Sequence, residues 1–334
     1  MSRKIVHLVD DLTAGGVTRF LEHLAMLPEL QAAFEQDYVE IRRGRWSAPV
    51  LEADVIVSHL SVSWKNLAMF LALRALNPNT PLIHIEHSYS PSFMEQKARN
   101  KTRLETVLRT VYALFDHVVA VSKAQQAWML DRELVQEARC SAIHPLTDLQ
   151  PFLRLQPASG VVTNLAVISR LEEEKGVDVL IQAFRMAAPD NIKLSVYGTG
   201  SAQRDLVELA GQDPRITFYG QSDPAIAMSE AQIIAVPSRR ETFGLVALEG
   251  RAAGRTVLVS GADGLDDQVA DGAVRIGADL SDWCRAMADL DALHDGDRVR
   301  FVRARALEAA NRSRLAWTAL FQHVAAPALQ DLAS

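Results

Sequence analysis

Cysteine is nearly absent: Cys140 and Cys284 are the only two, far apart and without CxxC or Cys/His spacing. That excludes a disulfide framework and a cysteine-based zinc site, and it suits a reducing compartment. Both cysteines read as buried small hydrophobes. Positive charge is not in excess either. The formal net charge of -6 leaves no basic footprint for nucleic acid, so any anion site has to be local. Long apolar runs are also missing. In the opening MSRKIVHLVDDLTAGG the apolar run is broken by His7 and stopped at Asp10 and Asp11. It reads neither as a signal peptide nor as a membrane span, and a cytoplasmic protein is expected. Exact internal repeats and low-complexity tracts are lacking too.

What is present is enough apolar material for more than one core: 334 residues at 49% hydrophobic favour two domains of ordinary size. Short β-branched runs alternate with longer segments of helical period. They are KIVHLV, VIVSHL, PLIHIE and HVVAVS, then NLAVIS, KLSVYG, RITFYG, QIIAVP and RTVLVS. These runs are apolar almost throughout, as in parallel strands covered on both faces by crossover helices. The fold class is therefore α/β, with two Rossmann-like, doubly wound sheets. The alternation pauses at HPLTDLQPFLRLQPASG, residues 144–160, where three prolines and a glycine separate two strand–helix sets. That places one domain over residues 1–152 and the next over 153–311. Open parallel sheets bind ligands at the carboxyl ends of their strands, so two in one chain are expected to face each other across a central cleft.

The second half carries the specific signals. QIIAVPSRRETFGLVALEGRAAGRTVLVS reads as strand, loop, helix, strand. Pro237 ends the strand, Leu245, Val246 and Leu248 supply an apolar face, and Gly254 suits a helix C-cap. Glu241 precedes the helix and Glu249 lies inside it. The N–H groups of Phe243, Gly244 and Leu245 at the helix start can meet a phosphate, with the two carboxylates flanking it and accepting hydrogen bonds from sugar hydroxyls. The residues alone leave open a plainer reading, in which Glu241 is a favourable first-turn acid and Glu249 a solvated helix position. In NLAVISRLEEEKGVDVLIQAF, Arg170 and Lys175 follow a strand. A planar fork and a compact point charge suit a diphosphate, with charge-assisted hydrogen bonds of about 1.5–3 kcal/mol each. Surface salt bridges to Glu172, Glu173 or Glu174 are the alternative. KLSVYGTGSAQRDL puts Gly198 and Gly200 directly after a strand. The third glycine of GxGxxG and a following acidic strand end are lacking, so dinucleotide binding ranks below a plain strand-to-helix turn.

Taken together, SRLEEEKG, YGTG, PSRRETFGLVALEGRAAG and GADGLDDQVADG resemble the donor domain of the retaining family-4 glycosyltransferases (glycosyl transferases group 1), from about Leu165 to Gly272. The resemblance implies the GT-B fold and a hexosyltransferase that uses a nucleotide sugar, UDP- or GDP-linked, with no other cofactor. It implies that Arg170 and Lys175 bind the diphosphate. It places Glu241 against the donor sugar, Gly198, Thr242, Phe243, Gly244, Leu245 and Val246 around the donor, and Glu249 on the ribose hydroxyls. Two departures, Ser169 for the usual glycine and Gly250-Arg251 for the usual small apolar pair, bear on donor identity. The acceptor would bind the first domain, and RSRLAWTALFQHVAAPALQDL, within 312–334, would cross back to pack on it.

The first half resembles the family more loosely, through DDLTAGGVTRFLEHL and IEHSYSPSF. Gly15 and Gly16 open a helix after the first strand, where chain and helix N–H groups can approach a sugar phosphate or simply form a turn. His87 follows PLIHIE, where the family places a histidine that contacts the donor sugar; it is preferred over His84 and over His59, the secondary candidate. Glu86 either orients His87 or recognises acceptor. The Asp-x-Asp spellings at 289–291 and 295–297 read as solvated surface, and no metal is expected because cations and helix N–H groups already meet the leaving phosphate. Lys97, Arg99, Lys101, Arg103 and Arg109 lie among apolar residues at helical spacing, either as a solvated face or as a peripheral membrane contact near a lipid-linked saccharide acceptor. The expected activity is retaining sugar transfer in surface-polysaccharide or glycoconjugate assembly. Two carboxylates alone would also fit a glycosidase. A catalytically silent nucleotide-sugar sensor or scaffold and an NAD-dependent oxidoreductase are the alternatives.

Overall fold

The computed structural model describes residues 3–10, 15–42, 44 and 46–324. Asp11 and the end of the last apolar segment, residues 325–334, lie outside them. The chain divides into two compact units, Met1–Thr147 with Asn311–Ser334, and Asp148–Ala310.

The first unit holds strands β1 (Arg3–Val9), β2 (Phe34–Glu40), β3 (Val55–Ser58), β4 (Leu82–Glu86), β5 (His117–Ala120) and β6 (Cys140–Ala142), in the order β2-β1-β3-β4-β5-β6. The second holds β7 (Asn164–Ile168), β8 (Lys193–Tyr197), β9 (Ile216–Gly220), β10 (Ile233–Val236), β11 (Thr256–Val259) and β12 (Val274–Arg275), in the order β12-β11-β10-β7-β8-β9. The strands pair in parallel in both sheets. Inner strands such as β3, β10 and β11 are buried at every position, because helices cover both faces and each side chain meets apolar material.

Three strands escape the sequence pattern, and all are sheet edges: β2, β6 and β12. An edge strand is covered less completely, and β2 accordingly mixes one buried end with exposed and half-exposed positions. Cys140 is buried, and burial pushes its thiol up to about 11. Cys284 departs from expectation: it is only half-buried, at the margin of the second core. Among the described residues no helix is long and apolar enough to cross a membrane.

Both sheets have a point where strand order reverses. From β1 the chain goes outward to β2 and then returns to β3 on the other side of β1; from β7 it runs outward through β8 to β9 and returns to β10. Loops at such a point part to opposite faces and leave a crevice at the carboxyl edge. In the first unit helix Gly16–Ala25 meets the part of helix Gly296–Val324 that follows Asn311 through aromatic side chains. Phe20 packs with its ring tilted against Trp317, centroids 5.1 Å apart, and Trp317 donates its indole N–H to the His144 carbonyl at 2.9 Å.

Trp317 is fully buried. Trp317→Ala is therefore expected to cost this unit about 3–5 kcal/mol. The measurement is hydrogen exchange of the β1 amides, since two units need not unfold together. Unchanged protection of those amides would mean that the helix does not support the sheet.

Candidate active site

The second unit brings its predicted residues to one edge. Lys175 lies at the end of the loop after β7 and Glu241 in the loop after β10, so both stand over the point where the strand order reverses. There the lysine Nζ meets the glutamate Oε2 at 2.6 Å, with each side chain only 17% exposed. A pair so placed is charge-assisted and partly shielded, and it fixes both groups.

The contact is enforced by Arg239, which the sequence reasoning missed. Its guanidinium grips both oxygens of Asp178 at 2.7 Å and donates to the Glu173 carbonyl at 2.7 Å. Its N–H also reaches the Glu174 carbonyl at 2.8 Å. Burial alone would raise the Asp178 carboxyl, but the bonds from Arg239 outweigh it and hold the group below its ordinary range. The loop after β10 is thereby clamped to the loop after β7. Nothing in PSRRE distinguishes this scaffold arginine from Arg240, which turns instead to Glu174 at 3.4 Å.

Arg170 is placed differently from Lys175. Its side chain is 68% exposed and touches Glu174 at 3.4 Å, the surface pairing that the sequence left open. An exposed pair of this kind is worth about 0–1 kcal/mol, so an arriving anion can recruit the guanidinium at little cost. Glu172 is bound elsewhere: it accepts from the Ser201 N–H at 3.0 Å and from the Ser201 hydroxyl, tying the loops after β7 and β8 together.

Helix Leu245–Ala252 begins beside the ion pair. Its N-cap, Gly244, has φ 85°, a left-handed conformation that favours glycine. The first helical bond runs from Ala247 N–H to Gly244 O at 3.0 Å, so the N–H groups of Leu245 and Val246 precede the ladder. Thr242 is half-exposed, whereas the Phe243 ring is buried and anchors the turn, so only backbone at that residue can serve a ligand. Glu249 corrects the plainer sequence reading. Far from being a solvated position, it is 0% exposed, and a carboxylate kept from water is not placed there by helix propensity. At Gly198, with φ 127°, a Cβ would run into the Ser169 carbonyl, so glycine is needed where the chain leaving β8 approaches the chain leaving β7. Gly250 and Arg251, the unusual pair, are structural. A Cβ on Gly250 would stand 3.0 Å from Val257, and buried Arg251 bonds Gln268 at 2.7 Å and the Asp271 carbonyl at 3.1 Å.

The first unit gathers a second set at its own carboxyl edge. Gly15 and Gly16 are exposed and open helix Gly16–Ala25; Gly15 is extended, at φ −170°, so its dihedral does not demand glycine. His87 follows β4 and is half-buried. Its Nε2 lies 3.0 Å from His59 Nδ1, and His59 Nε2 lies 3.0 Å from His7 Nδ1. His7 Nε2 in turn lies 3.3 Å from Gln36 Oε1. His84 is apart from this line: it faces the Ser58 hydroxyl at 3.4 Å and Glu86 at 3.3 Å. Glu86 is fully buried, and its carboxylate also accepts from Tyr112 at 2.7 Å and from the Ser88 and Tyr89 N–H groups. Of the two roles expected for Glu86 near His87, neither describes these contacts, which orient His84. The Asp-x-Asp aspartates at 289–291 and 295–297 are exposed.

Burial pushes His7 and His87 down to about 4, His7 against the Gln36 hydrogen bond and His87 against the pull of Glu86. It also holds His59 well below its ordinary value, helped by the neighbouring imidazoles. Folding thus favours the neutral forms. Their contribution is fully present above the unfolded value of 6.5 and is lost as pH falls towards about 4, because the unfolded chain then binds more protons. For His7, which is 0% exposed, the difference corresponds to about 3 kcal/mol. Urea midpoints of the first unit should fall more steeply between about pH 7 and about pH 4.5 in the wild type than in His7→Gln. A wild-type profile no steeper than the variant's would remove the histidines from the acid response.

Comparison with known proteins agrees with this geometry. Residues 163–292 match the family model described as glycosyl transferases group 1, and residues 14–151 match glycosyltransferase family 4. The D-inositol 3-phosphate glycosyltransferase of Nocardia farcinica is 28% identical over 260 residues, covering 68% of this chain and 56% of the relative. Its counterpart in Mycolicibacterium smegmatis is 28% identical over 195 residues, covering 52% of this chain and 45% of the relative. The chain spans about half the length of the curated relatives it matches. Among solved structures, sucrose-phosphate synthase from Thermosynechococcus elongatus superposes with a TM-score of 0.76 at 19% identity, over 96% of this chain and 99% of that one. Anabaena HepE in complex with UDP and glucose gives 0.73 at 15% identity, over 96% and 98%. These likenesses show the GT-B fold.

Proposed function

The chain belongs to the family-4 glycosyltransferases, and we propose that it moves a hexose from a nucleotide-diphosphate donor to a saccharide acceptor with retention of anomeric configuration. The observation that carries this reading is the Lys175–Glu241 pair, 2.6 Å apart, beside the start of helix Leu245–Ala252. A cation, a carboxylate and free-ended backbone donors at one sheet crevice suit a charged diphosphate joined to a neutral sugar.

In the proposed reaction the anomeric C–O bond breaks while negative charge grows on the departing β-phosphate. Lys175 and the recruited Arg170 meet that charge together with the N–H groups of Leu245 and Val246, so the leaving group is stabilised by this chain's own residues and the reaction is read as metal-independent. Lys175 shifts from Glu241 towards the phosphate, and the freed Glu241 carboxylate accepts from a sugar hydroxyl. Buried Glu249 accepts from the ribose hydroxyls, and His87 contacts the sugar. The leaving phosphate deprotonates the acceptor hydroxyl on the same face. HepE, whose structure contains UDP and glucose, supports a nucleotide-sugar donor.

For the acceptor we favour a lipid-linked saccharide in surface-polysaccharide or glycoconjugate assembly, met at the inner face of a membrane. Lys97, Arg99, Lys101 and Arg103 are exposed, and Arg103 lies 5.5 Å over the ring of exposed Trp64. Basic side chains near anionic lipid contribute about 1 kcal/mol each. Arg109 is outside this set, since its guanidinium donates to the Glu133 and Arg132 carbonyls.

The test is nucleoside diphosphate release from a panel of nucleotide sugars, with calorimetry of UDP, GDP, ADP and dTDP in parallel. Lys175→Met is expected to lower turnover about 100- to 1,000-fold. Glu249→Ala should weaken nucleotide binding, whereas Glu241→Ala and His87→Ala should mainly lower turnover. Tight nucleotide binding without release from any sugar would favour a sensor instead, and equal turnover in all variants would falsify the residue roles.

A further inference from the structure

The line of imidazoles in the first unit crosses the sheet diagonally, because Gln36 is opposite Ile5 and His7 is opposite Val57, so each member lies two residues further along than its neighbour's partner. Gln36 is on β2, His7 on β1, His59 just past β3 and His87 just past β4, and β2-β1-β3-β4 is the strand order of the sheet. The spacing is 3.3 Å from Gln36 to His7, then 3.0 Å and 3.0 Å to His87. The two 3.0 Å contacts each join one ring nitrogen to one ring nitrogen, and the first joins His7 Nε2 to the amide oxygen, so the chain has a direction.

A neutral imidazole has one donor and one acceptor, and the partner of one nitrogen dictates the role of the other. The Gln36 Oε1 can only accept. His7 must then carry its proton on Nε2 and offer Nδ1 as acceptor. That acceptor takes the proton of His59 Nε2, and His59 Nδ1 in turn takes the proton of His87 Nε2. The outcome at the far end is set by the amide at the near end: His87 is left with a bare Nδ1.

We propose that Gln36, His7 and His59 are positioning residues that hold His87 in its Nε2–H tautomer, so that it meets the substrate as a hydrogen-bond acceptor for a sugar hydroxyl. The proposal rests on the reading that His87 faces the donor sugar. Without the line, His87 could equally present Nδ1–H, which donates and would select a different partner atom. Aromatic side chains flank the line: Tyr38 is stacked on His7 at 5.2 Å, Phe20 lies beside His59 and His87 at 6.2 Å and 5.9 Å, and Phe321 lies edge-on to His7 at 6.4 Å. The neutral state on which the directionality depends is the one that burial favours for all three rings. The His84–Glu86–Tyr112 cluster makes its own closed set of bonds, and it has no part in the line.

The experiment is two-bond proton–nitrogen correlation on the full chain labelled with ¹⁵N-histidine, at neutral pH and without nucleotide. Wild type is expected to show Nε2–H at His7, His59 and His87. Among the described residues Gln36 is the group that needs His7 Nε2–H; Gln36→Leu removes it, so the chain should reverse and His87 should become Nδ1–H, three hydrogen bonds from the substitution. Turnover should fall about tenfold with the donor KM little changed. A merely local packing defect at Gln36 would leave the His87 tautomer where it was. Wild-type His87 carrying Nδ1–H overturns the proposal even if no variant folds. A reversed tautomer with unchanged turnover overturns the substrate role of the line. If His87→Ala is also without effect on turnover, the reading that has failed is the sugar-facing one, and the tautomer result stands apart from it.

Discussion

One ion pair organises the second unit. Lys175 and Glu241 come from loops far apart in sequence and meet at 2.6 Å where the sheet reverses its strand order. Parallel pairing sends both loops to the same edge, but that alone would leave them independent. The Arg239–Asp178 fork and the Arg239 bonds to the Glu173 and Glu174 carbonyls join the two loops into one piece, so the position of the charged pair is inherited from the scaffold and does not depend on the long flexible stems of its members. The same loops are tied on their other side through Glu172 and Ser201. A site that must stabilise developing charge gains from such preorganisation, because its dipoles and charges need not rearrange as the reaction proceeds.

Much of this was legible in the sequence, for a physical reason. Inner parallel strands are apolar on both faces, and their runs were visible as such. The three strands that were not visible, β2, β6 and β12, are all edges, where one side of the strand has no partner and the composition relaxes towards that of a loop. The charged residues at the carboxyl edge of the second sheet could be picked out because strand ends locate the edge and the motif order locates the residues on it. What the sequence could not rank was which cation is anchored. Arg170 and Lys175 look alike in SRLEEEKG, yet one is mostly exposed and the other is locked to a carboxylate. Nor could it separate Arg239 from Arg240, since their roles depend on which loop each faces.

The buried carboxylate shows the same limit from the other side. In LVALEGRAAG a helical glutamate reads as solvent-facing by default, because isolated charges are rarely buried. Glu249 is 0% exposed all the same. The residue after next explains how the helix can bury that much polarity: Arg251 is buried as well, and it spends its guanidinium on Gln268 and the Asp271 carbonyl across to the next helix. Two charged residues two positions apart on a short helix can both be buried only if the helix is covered on more than one side, and β10, β11 and the adjoining helices supply that cover. Periodicity on a short segment carries too little information to reveal it.

The two sheet edges solve different electrostatic problems with the same topology. At the second, charges are paired and partly shielded, which prepares the edge to exchange one anion for another. At the first, burial strips three imidazoles of charge, and their only means of influence is the direction of their hydrogen bonds. Direction is a property of a whole line: a change of acceptor at one end alters the donor at the other without moving any intervening ring. Such a line is invisible in sequence because its members, Gln36, His7, His59 and His87, fall on four separate segments that only the strand order β2-β1-β3-β4 makes adjacent. Each histidine taken singly has a satisfactory structural explanation, and the functional content appears only when the bonds are followed in order.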